Sequence, residues 1–276
     1  MQILSGKELA KRELEALKKQ IKEINLPRPL RLAIIQVGDN PASNKYISAK
    51  LKKCEEVGIE GKLFKYPEKI TQNQLLKKLD SINEWGDGII VQLPLPDHIP
   101  EKVILDAVPY DKDIDGLSAR NEFLLYNEPN SKHYIPATAR AVMELIEHYK
   151  IPVLDNRISV VGRSKVVGKP VAHILKRNNT HVSTFNEETG IKGIESSDLV
   201  IVAIGEAKFV KAHNLKEGAV VIDVGTNLDD KLTVDLCGDV DFEDVKDKVS
   251  AITPVPGGVG PMTVVCLLKN LVERYS

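Results

Sequence analysis

Short apolar runs alternate with amphipathic helical patterns, and this alternation limits the fold more than any other feature of the chain. The first half contains the runs LRLAIIQVG and DGIIVQLPL, which Gly and Pro bound as they usually bound buried parallel strands. Capping-box spacing at Ser5–Glu8 and at Thr71–Gln74 opens the helical patterns ELAKRELEALKKQI and LLKKLDSI. The first half is therefore predicted to be an α/β domain.

The pattern starts again at Arg157, with four strand-like runs, RISVVG, HVSTF, DLVIVAIG and AVVIDVG, and a helical bridge, VGKPVAHILKRN. These runs predict a second α/β domain with a Rossmann-like, doubly wound parallel sheet. A length of 276 residues fits two domains, which we place at 1–137 and 138–261. The segment TVVCLLKNLVERY has helical spacing, and we assign this helix, about 262–276, to the first domain.

Charge is nearly balanced, with 38 Lys and Arg against 39 Asp and Glu, which argues against nucleic acid or an anionic membrane as a partner. The start of the chain lacks an apolar signal core, and the longest purely apolar run, 199–204, is too short to cross a bilayer. We therefore expect a cytoplasmic protein that binds small molecules. Cys54, Cys237 and Cys266 lie far apart in the sequence and are expected to be apolar filler rather than a disulfide or zinc site.

The segment VVGRSKVVGKP, residues 160–170, joins a predicted strand to a predicted helix, which is where a dinucleotide pyrophosphate binds. The fingerprint G-x-G-x-x-G is incomplete, because only Gly162 and Gly168 are glycine. Arg163 and Ser164 supply a cation and a hydroxyl, and a guanidinium suits the 2′-phosphate of NADP. Glu187 and Glu188 follow the next strand, where an acidic residue favours NAD, so both cofactors stay open.

A second group of polar residues lies in the helical segment PASNKYISAK. Ser43, Tyr46 and Lys50 share one stripe at i, i+3 and i+7, apart from the apolar stripe of the same helix. Gln92 follows an apolar strand, at the end of the sheet where ligands bind in open parallel sheets. Taken alone, these residues also fit an ordinary exposed helix face and a strand-end cap.

A calcium-loop pattern, D-x-D-x-D-G-x5-E, is formally complete at Asp111, Asp113, Asp115, Gly116 and Glu122. Pro109 would break the helix that must enter such a loop, and no paired loop follows. We predict no metal site.

Seven motifs follow one another along the chain: PASNKYISAK, VQLPLP, KDIDG, VVGRSKVVGKPVAHIL, VIDVGTN, GDVDF and ITPVPGGVGPMT. By these motifs the chain closely resembles the methylenetetrahydrofolate dehydrogenase/cyclohydrolase family over its full length. The resemblance implies a folate-binding catalytic domain (1–137 with about 262–276), a Rossmann-like NADP-binding domain (138–261) and a cleft between them. It also implies a homodimer built by the cofactor domains, and a role in one-carbon metabolism and purine biosynthesis.

The family's chemistry implies roles for particular residues. Methylenetetrahydrofolate is oxidised to the methenyl form with NADP, and water then opens that ring to give 10-formyltetrahydrofolate. Matched by position, the active-site set is Tyr46, Lys50, Gln92 and Asp115. Lys50 is implied to handle the proton of the hydrolytic step, and Asp115 to accept from the pterin N–H groups.

Other residues are implied to bind ligands without reacting. Ser43, with Pro256, Gly257 and Gly258, joins the set that binds the folate. Gly162, Arg163 and Ser164 form the cofactor turn, and Thr226 lies where the family backbone contacts the nicotinamide half.

Three segments depart from the family pattern. DGLSARNEFLL lacks its usual aromatic and His, PATARA lacks its usual Cys, Pro and Gly, and FNEET lacks the common polar and basic residues near the ribose phosphate. A dehydrogenase without cyclohydrolase activity and an NAD-dependent member therefore remain alternatives.

Overall fold

The chain forms two compact units in the computed structural model, which describes residues 1–24, 26–177, 181–186, 188–228 and 236–275. One unit, called the six-stranded unit, comprises Met1–Lys11 and Thr138–Thr263. The other, called the three-stranded unit, comprises Arg12–Ala137 and Val264–Ser276. Within the described ranges, no helix is both long enough and apolar enough to cross a membrane.

Eleven strands are described, and they are short: β1 Gln2–Ile3, β2 Arg31–Val37, β3 Glu60–Tyr66, β4 Gly88–Val91, β5 Arg157–Val161, β6 His181–Phe185, β7 Leu199–Val202, β8 Val220–Asp223, β9 Asn227–Leu228, β10 Leu236–Cys237 and β11 Ala251–Ile252. The α-helices described are α1 Gly6–Glu23, α2 Pro41–Val57, α3 Gln72–Trp85, α4 Glu101–Asp106, α5 Ala119–Asn127, α6 Ala137–His148, α7 Gly168–Arg177, α8 Phe242–Val245 and α9 Val259–Glu273. Single 3-10 turns lie at Ile194–Ser196 and Ala212–Asn214.

The sheet of the six-stranded unit is parallel throughout, in the order β1-β11-β8-β7-β5-β6. The chain passes from β5 to β6 on one side and then returns to β7 on the other side of β5. This reversal makes a topological switch point between the carboxyl ends of β5 and β7, which is where doubly wound sheets bind ligands. The two-stranded pair β9–β10 is antiparallel.

The sheet of the three-stranded unit is also parallel, with β2 between β3 and β4. One of its faces carries Ala33, Ile35 and Val37, which belong to an apolar core completed by buried side chains of α3 and α4. Helix α2 covers the other face, where a Cβ on Gly61 would lie 2.9 Å from Leu51 Cδ2. Gln36 near the end of β2 and Gln92 just after β4 therefore lie on the side of the sheet that α2 covers.

The predicted α/β class and the parallel Rossmann-like sheet are confirmed, and each predicted strand run contains a strand. The capping box at Thr71 and Gln74 is also confirmed, and the Ser5 hydroxyl accepts from the Glu8 amide at 3.2 Å. The last helix begins at Val259 rather than near 262, because Pro261 falls in its first turn, where proline is tolerated. Residues 1–11 are predicted to belong to the first domain, whereas they lie in the six-stranded unit, where β1 pairs with β11.

Candidate active site

Helix α2 positions three of the predicted site residues. Its first turn is set by Asn40, whose side chain accepts from the Ser43 amide at 3.0 Å, and by Pro41 at the start of the helix. Ser43 is 5% exposed and Lys50 only 8%, whereas Tyr46 is 41% exposed. The stripe predicted from spacing therefore exists, but its lysine is buried.

Lys50 contacts Gln92, the residue that follows β4. Its Nζ donates to Gln92 Oε1 at 3.0 Å, and Gln92 Nε2 donates to the Leu93 carbonyl at 2.9 Å, which fixes the direction of the amide. Burial lowers the pKa of the Lys50 amine, and the negative charge of Asp115 opposes that shift. A lysine with a lowered pKa has more of its neutral, basic form near neutral pH.

Asp115 is coupled electrostatically to Lys50. Burial raises the pKa of the Asp115 carboxylate, and the positive charge of Lys50 opposes that rise. Lys50 thus bonds to Gln92 and lies in electrostatic reach of Asp115. Tyr46 is one helical turn from Lys50 on α2. Such a group can bind polar N–H donors and exchange a proton at Lys50.

Buried polar side chains that the sequence analysis did not identify hold the loop that carries Asp115. Asp113 Oδ2 accepts from the Ser118 amide at 2.7 Å and from Asn121 Nδ2 at 3.0 Å. Asn121 is fully buried, and its Oδ1 accepts from the Tyr134 amide at 3.1 Å. The polar Asn121 inside the apolar helix NEFLL was the available signal.

Two further contacts fix the same loop. Asn270 Nδ2 of α9 donates to the Ile114 carbonyl at 2.8 Å, and Asn270 is 1% exposed. Gly116 has φ +71°, and a Cβ there would lie 2.8 Å from the Tyr134 carbonyl oxygen. A larger residue at 116 would displace the backbone that presents Asp115.

The calcium-type pattern does not form a cation site. The Asp111 carboxylate pairs with the Arg274 guanidinium at 2.7 Å, while Asp113 accepts from Ser118 and Asn121. Over the described ranges, no group of three or more His, Cys, Asp or Glu side chains could hold a metal ion. Of the cysteines, Cys54 and Cys266 are buried and Cys237 is partly exposed, and no disulfide joins these three described residues.

In the six-stranded unit, the turn after β5 requires glycine at both predicted positions. Gly162 has φ +111°, and a Cβ there would lie 2.1 Å from the Ala203 carbonyl oxygen. A Cβ on Gly168 would lie 1.9 Å from the Gly162 oxygen. The incomplete fingerprint nevertheless builds a close strand-to-helix turn at the switch point.

Arg163 and Ser164 lie in that turn. Arg163 Nη2 donates to the Thr184 carbonyl at 2.8 Å, which holds the guanidinium at the end of β6. The Ser164 hydroxyl accepts from the Val167 amide at 3.2 Å, just before α7. Of the two acidic residues weighed for NAD, Glu188 is exposed and Glu187 lies outside the described residues.

Two buried carboxylates hold the loops after β7 and β8. Asp239 Oδ2 accepts from the Ile204 and Gly205 amides at 2.8 and 2.9 Å. Asp223 accepts from the Gly225, Asp239 and Val240 amides, and burial raises its pKa to about 7. They hold the backbone on either side of Thr226, which is exposed.

The glycine segment predicted to contact the folate also belongs to the six-stranded unit. Gly257, which follows Pro256, has φ +110° and accepts from the Lys7 amide at 2.9 Å. Gly258 passes so close to Gly6 that a Cβ on Gly6 would lie 1.8 Å from the Gly258 oxygen. Only side-chain-free residues permit this close backbone approach.

Both units match known family models. Residues 4–115 match the catalytic domain of tetrahydrofolate dehydrogenase/cyclohydrolase, and residues 136–276 match its NAD(P)-binding domain. The chain belongs to the tetrahydrofolate dehydrogenase/cyclohydrolase family. The resemblance seen in the sequence motifs is thereby confirmed.

Individual members of the tetrahydrofolate dehydrogenase/cyclohydrolase family agree in sequence and structure. The bifunctional protein FolD of Mycoplasmopsis synoviae is 63% identical over 278 residues and covers all of both chains. The crystal structure of the bifunctional enzyme FolD from Campylobacter jejuni has a TM-score of 0.94 at 39% identity, covering 100% of this chain and 98% of that one. The Trypanosoma brucei enzyme, solved with NADP cofactor and inhibitor, has a TM-score of 0.93 at 32% identity, covering 99% and 96%.

Proposed function

We propose that this protein oxidises 5,10-methylenetetrahydrofolate to 5,10-methenyltetrahydrofolate with NADP and hydrolyses the product to 10-formyltetrahydrofolate. The observation that carries this proposal is the buried Lys50 amine bonded to Gln92, in electrostatic reach of Asp115. Relatives named as bifunctional FolD proteins support both activities.

The turn after β5 fits the phosphates of a dinucleotide. Its two glycines pack so closely against backbone carbonyls that the strand-to-helix turn is tight, and α7 begins directly behind it, as at the phosphate sites of dinucleotide-binding turns. The Arg163 guanidinium at the end of β6 supports NADP over NAD, because Arg binds a phosphate through two parallel hydrogen bonds. When bound, the nicotinamide supplies the hydride acceptor for the first step.

For that first step, the protein's part is to hold the substrate in place. The Asp115 carboxylate accepts hydrogen bonds from the paired N–H donors of the pterin, while Tyr46 and Ser43 line the same stretch of α2. Correct alignment of the one-carbon bridge with the nicotinamide can supply a large share of the rate enhancement, since hydride transfer needs no proton from the protein.

The second step needs proton transfer. Water forms a C–O bond with the methenyl carbon, and the neutral Lys50 amine takes the proton that the water loses. The C–N5 bond then breaks as Lys50 passes this proton to N5. The hydroxyl left on the carbon loses its remaining proton to solvent and becomes the formyl carbonyl, so that methenyl cation and water give the 10-formyl product and one released proton. Gln92 orients the amine throughout this step, and the lowered pKa of Lys50 makes its neutral form available.

An absorbance assay with NADP and NAD in parallel tests the whole proposal. Methenyltetrahydrofolate should form faster with NADP, and added methenyltetrahydrofolate should decay faster with enzyme than without it. Formation without enzymatic decay would leave the dehydrogenase-only alternative, which the departure at residues 117–125 favours. No formation with either cofactor would refute the proposed function.

From the family resemblance, we also propose a homodimer built by the six-stranded units and a cytoplasmic location. In the cell, its 10-formyl product would supply one-carbon units to purine biosynthesis. The balanced charge of the chain supports small-molecule partners over nucleic acid or membranes.

A further inference from the structure

A buried amide beside the Lys50–Gln92 pair has an unused acceptor. Gln36 is the second-last residue of β2 and is 2% exposed. Its Nε2 donates to Asn44 Oδ1 at 2.8 Å, whereas no group in the described part of the chain donates to its Oε1. A buried acceptor without a donor is unfavourable, because it has lost its hydrogen bonds to water and gained none in exchange.

The direction of the Gln36 amide is set by a surface carboxylate. Asp39 Oδ1 accepts from Lys65 Nζ at 2.6 Å and from Asn44 Nδ2 at 2.8 Å, and these bonds lower the pKa of Asp39. An ionised carboxylate can only accept, so Asn44 must present its NH₂ group to Asp39 and its oxygen to Gln36. Gln36 must then present its NH₂ group to Asn44, which directs Oε1 away from Asn44.

Strand register places Gln36 next to Gln92. The parallel strands β2 and β4 pair Ile35 with Val91, and the Gln92 amide donates to the Ile35 carbonyl at 2.8 Å. The following residues, Gln36 and Gln92, are therefore neighbours on strands about 4.8 Å apart, with side chains on the same face. That face is the one covered by α2, from which Lys50 reaches Gln92.

The side chains of Lys50 and Gln36 have complementary hydrogen-bonding groups. The Lys50 ammonium has three donor hydrogens, and within the described residues it makes one hydrogen bond, to Gln92. Gln36 has an acceptor to fill. A buried water commonly satisfies such groups, since it accepts from one and donates to the other.

We propose that Gln36 is a positioning residue for the hydrolytic step, and that it holds one buried water which accepts from Lys50 Nζ. This inference rests on the proposed function. The neutral amine has two hydrogens, which the Gln92 oxygen and this water would occupy. The lone pair of Nζ would then point at the third side, toward the folate, where the attacking water loses its proton.

The test replaces Gln36 by Met, which keeps the length of the side chain and removes the acceptor. The cyclohydrolase kcat should fall about tenfold with KM unchanged, because the amine loses its orientation. The NADP-linked dehydrogenase should keep most of its rate. In nitrogen-15 NMR of labelled lysine side chains, the pKa of Lys50 should fall, since the ammonium loses a water that accepts from it.

Gln36→Glu separates a positioning role from a purely structural one. It retains an acceptor and adds a negative charge, so the pKa of Lys50 and the acidic limb of the cyclohydrolase pH profile should shift upward, opposite to Gln36→Met. The other charged or titratable groups near the amine, Asp115, Cys54 and Tyr46, are the same in both variants. If Gln36→Met does not fold, the direction in which the pKa of Lys50 shifts in Gln36→Glu tests the proposal instead.

Asn83→Leu is the matched control, because Asn83 Oδ1 is a second buried acceptor without a described partner and lies on α3, away from Lys50. It should leave both activities and the Lys50 titration unchanged. An unmutated cyclohydrolase rate and an unmutated Lys50 pKa in Gln36→Met would overturn the inference. Absence of cyclohydrolase activity in the unmutated protein would instead refute the proposed function, and the NMR titration would still test the water.

Discussion

Replacing Lys50 by Met removes the proposed base while keeping the side chain's length. General acid–base catalysis contributes about 10²- to 10⁴-fold, so the cyclohydrolase kcat should fall by that factor, which is about 3–5 kcal/mol of barrier. The protein should remain folded. The lost bond to Gln92 costs about 1 kcal/mol, and removal of a buried ammonium offsets it.

The variant should also bind the folate more weakly. Without the positive charge of Lys50, burial raises the pKa of Asp115 further, and a protonated carboxyl accepts less well from the pterin. KM should therefore rise for both activities, while kcat falls mainly for hydrolysis.

The assay follows the decay of methenyltetrahydrofolate and its NADP-dependent formation, with thermal unfolding as a check on folding. Lys53→Met is the matched control, because Lys53 lies on the same helix but pairs with Glu56 at the surface, at 2.6 Å. The control should keep both rates. If Lys50→Met hydrolyses methenyltetrahydrofolate at the unmutated rate, Lys50 is not the base, and Tyr46 or a bound water becomes the next candidate.

Three further predictions concern the six-stranded unit. Arg163→Ala should lower the ratio of kcat/KM with NADP to kcat/KM with NAD by about tenfold, because a charged hydrogen bond to the 2′-phosphate is lost. Equal use of both cofactors by the unmutated protein would contradict this prediction. Burial raises the pKa of Asp223 to about 7, above its unfolded value of about 3.9. The protonated carboxyl therefore stabilises the folded state, and its contribution to the free energy of unfolding is full below the unfolded pKa and is lost as the pH rises through 7. Asp223→Asn should therefore reduce the fall in Tm between pH 5 and pH 8, and identical slopes in thermal unfolding would count against it. Light scattering at micromolar concentration should show a dimer, and a species of only 30.5 kDa would contradict the proposed homodimer.

The pattern of apolar residues was enough to find strands that are buried on both faces. β2, β4, β7 and β8 are such strands, and each contains a run of at least three consecutive apolar residues. β3 was missed because it is an edge strand whose sequence, EGKLFKY, carries two lysines and has only exposed and half-buried residues. β1 has only two residues, and its pairing with β11 depends on a contact far along the chain.

For the candidate site, the spacing of Tyr46 and Lys50 on one helix was predictable, and so was the position of Gln92 at a strand end. The burial of Lys50 was not, since it depends on side chains from β4 and from the Asp115 loop. Gln36 gave no signal, because its interest lies in the direction of one hydrogen bond. That direction is set by Asp39 through Asn44, and no sequence pattern encodes it.

Residues made late in translation complete the three-stranded unit. Leu271 packs against β4 so closely that a Cβ on Gly88 would lie 2.9 Å from its side chain. Asn270 donates to the Ile114 carbonyl, and the Tyr275 hydroxyl donates to Asp87 at 2.7 Å. While residues 12–137 emerge from the ribosome, these partners are still more than a hundred codons away. The nascent unit must therefore leave part of its sheet uncovered until the six-stranded unit has been synthesised, and during that interval its exposed apolar surface is open to aggregation or to binding by a chaperone.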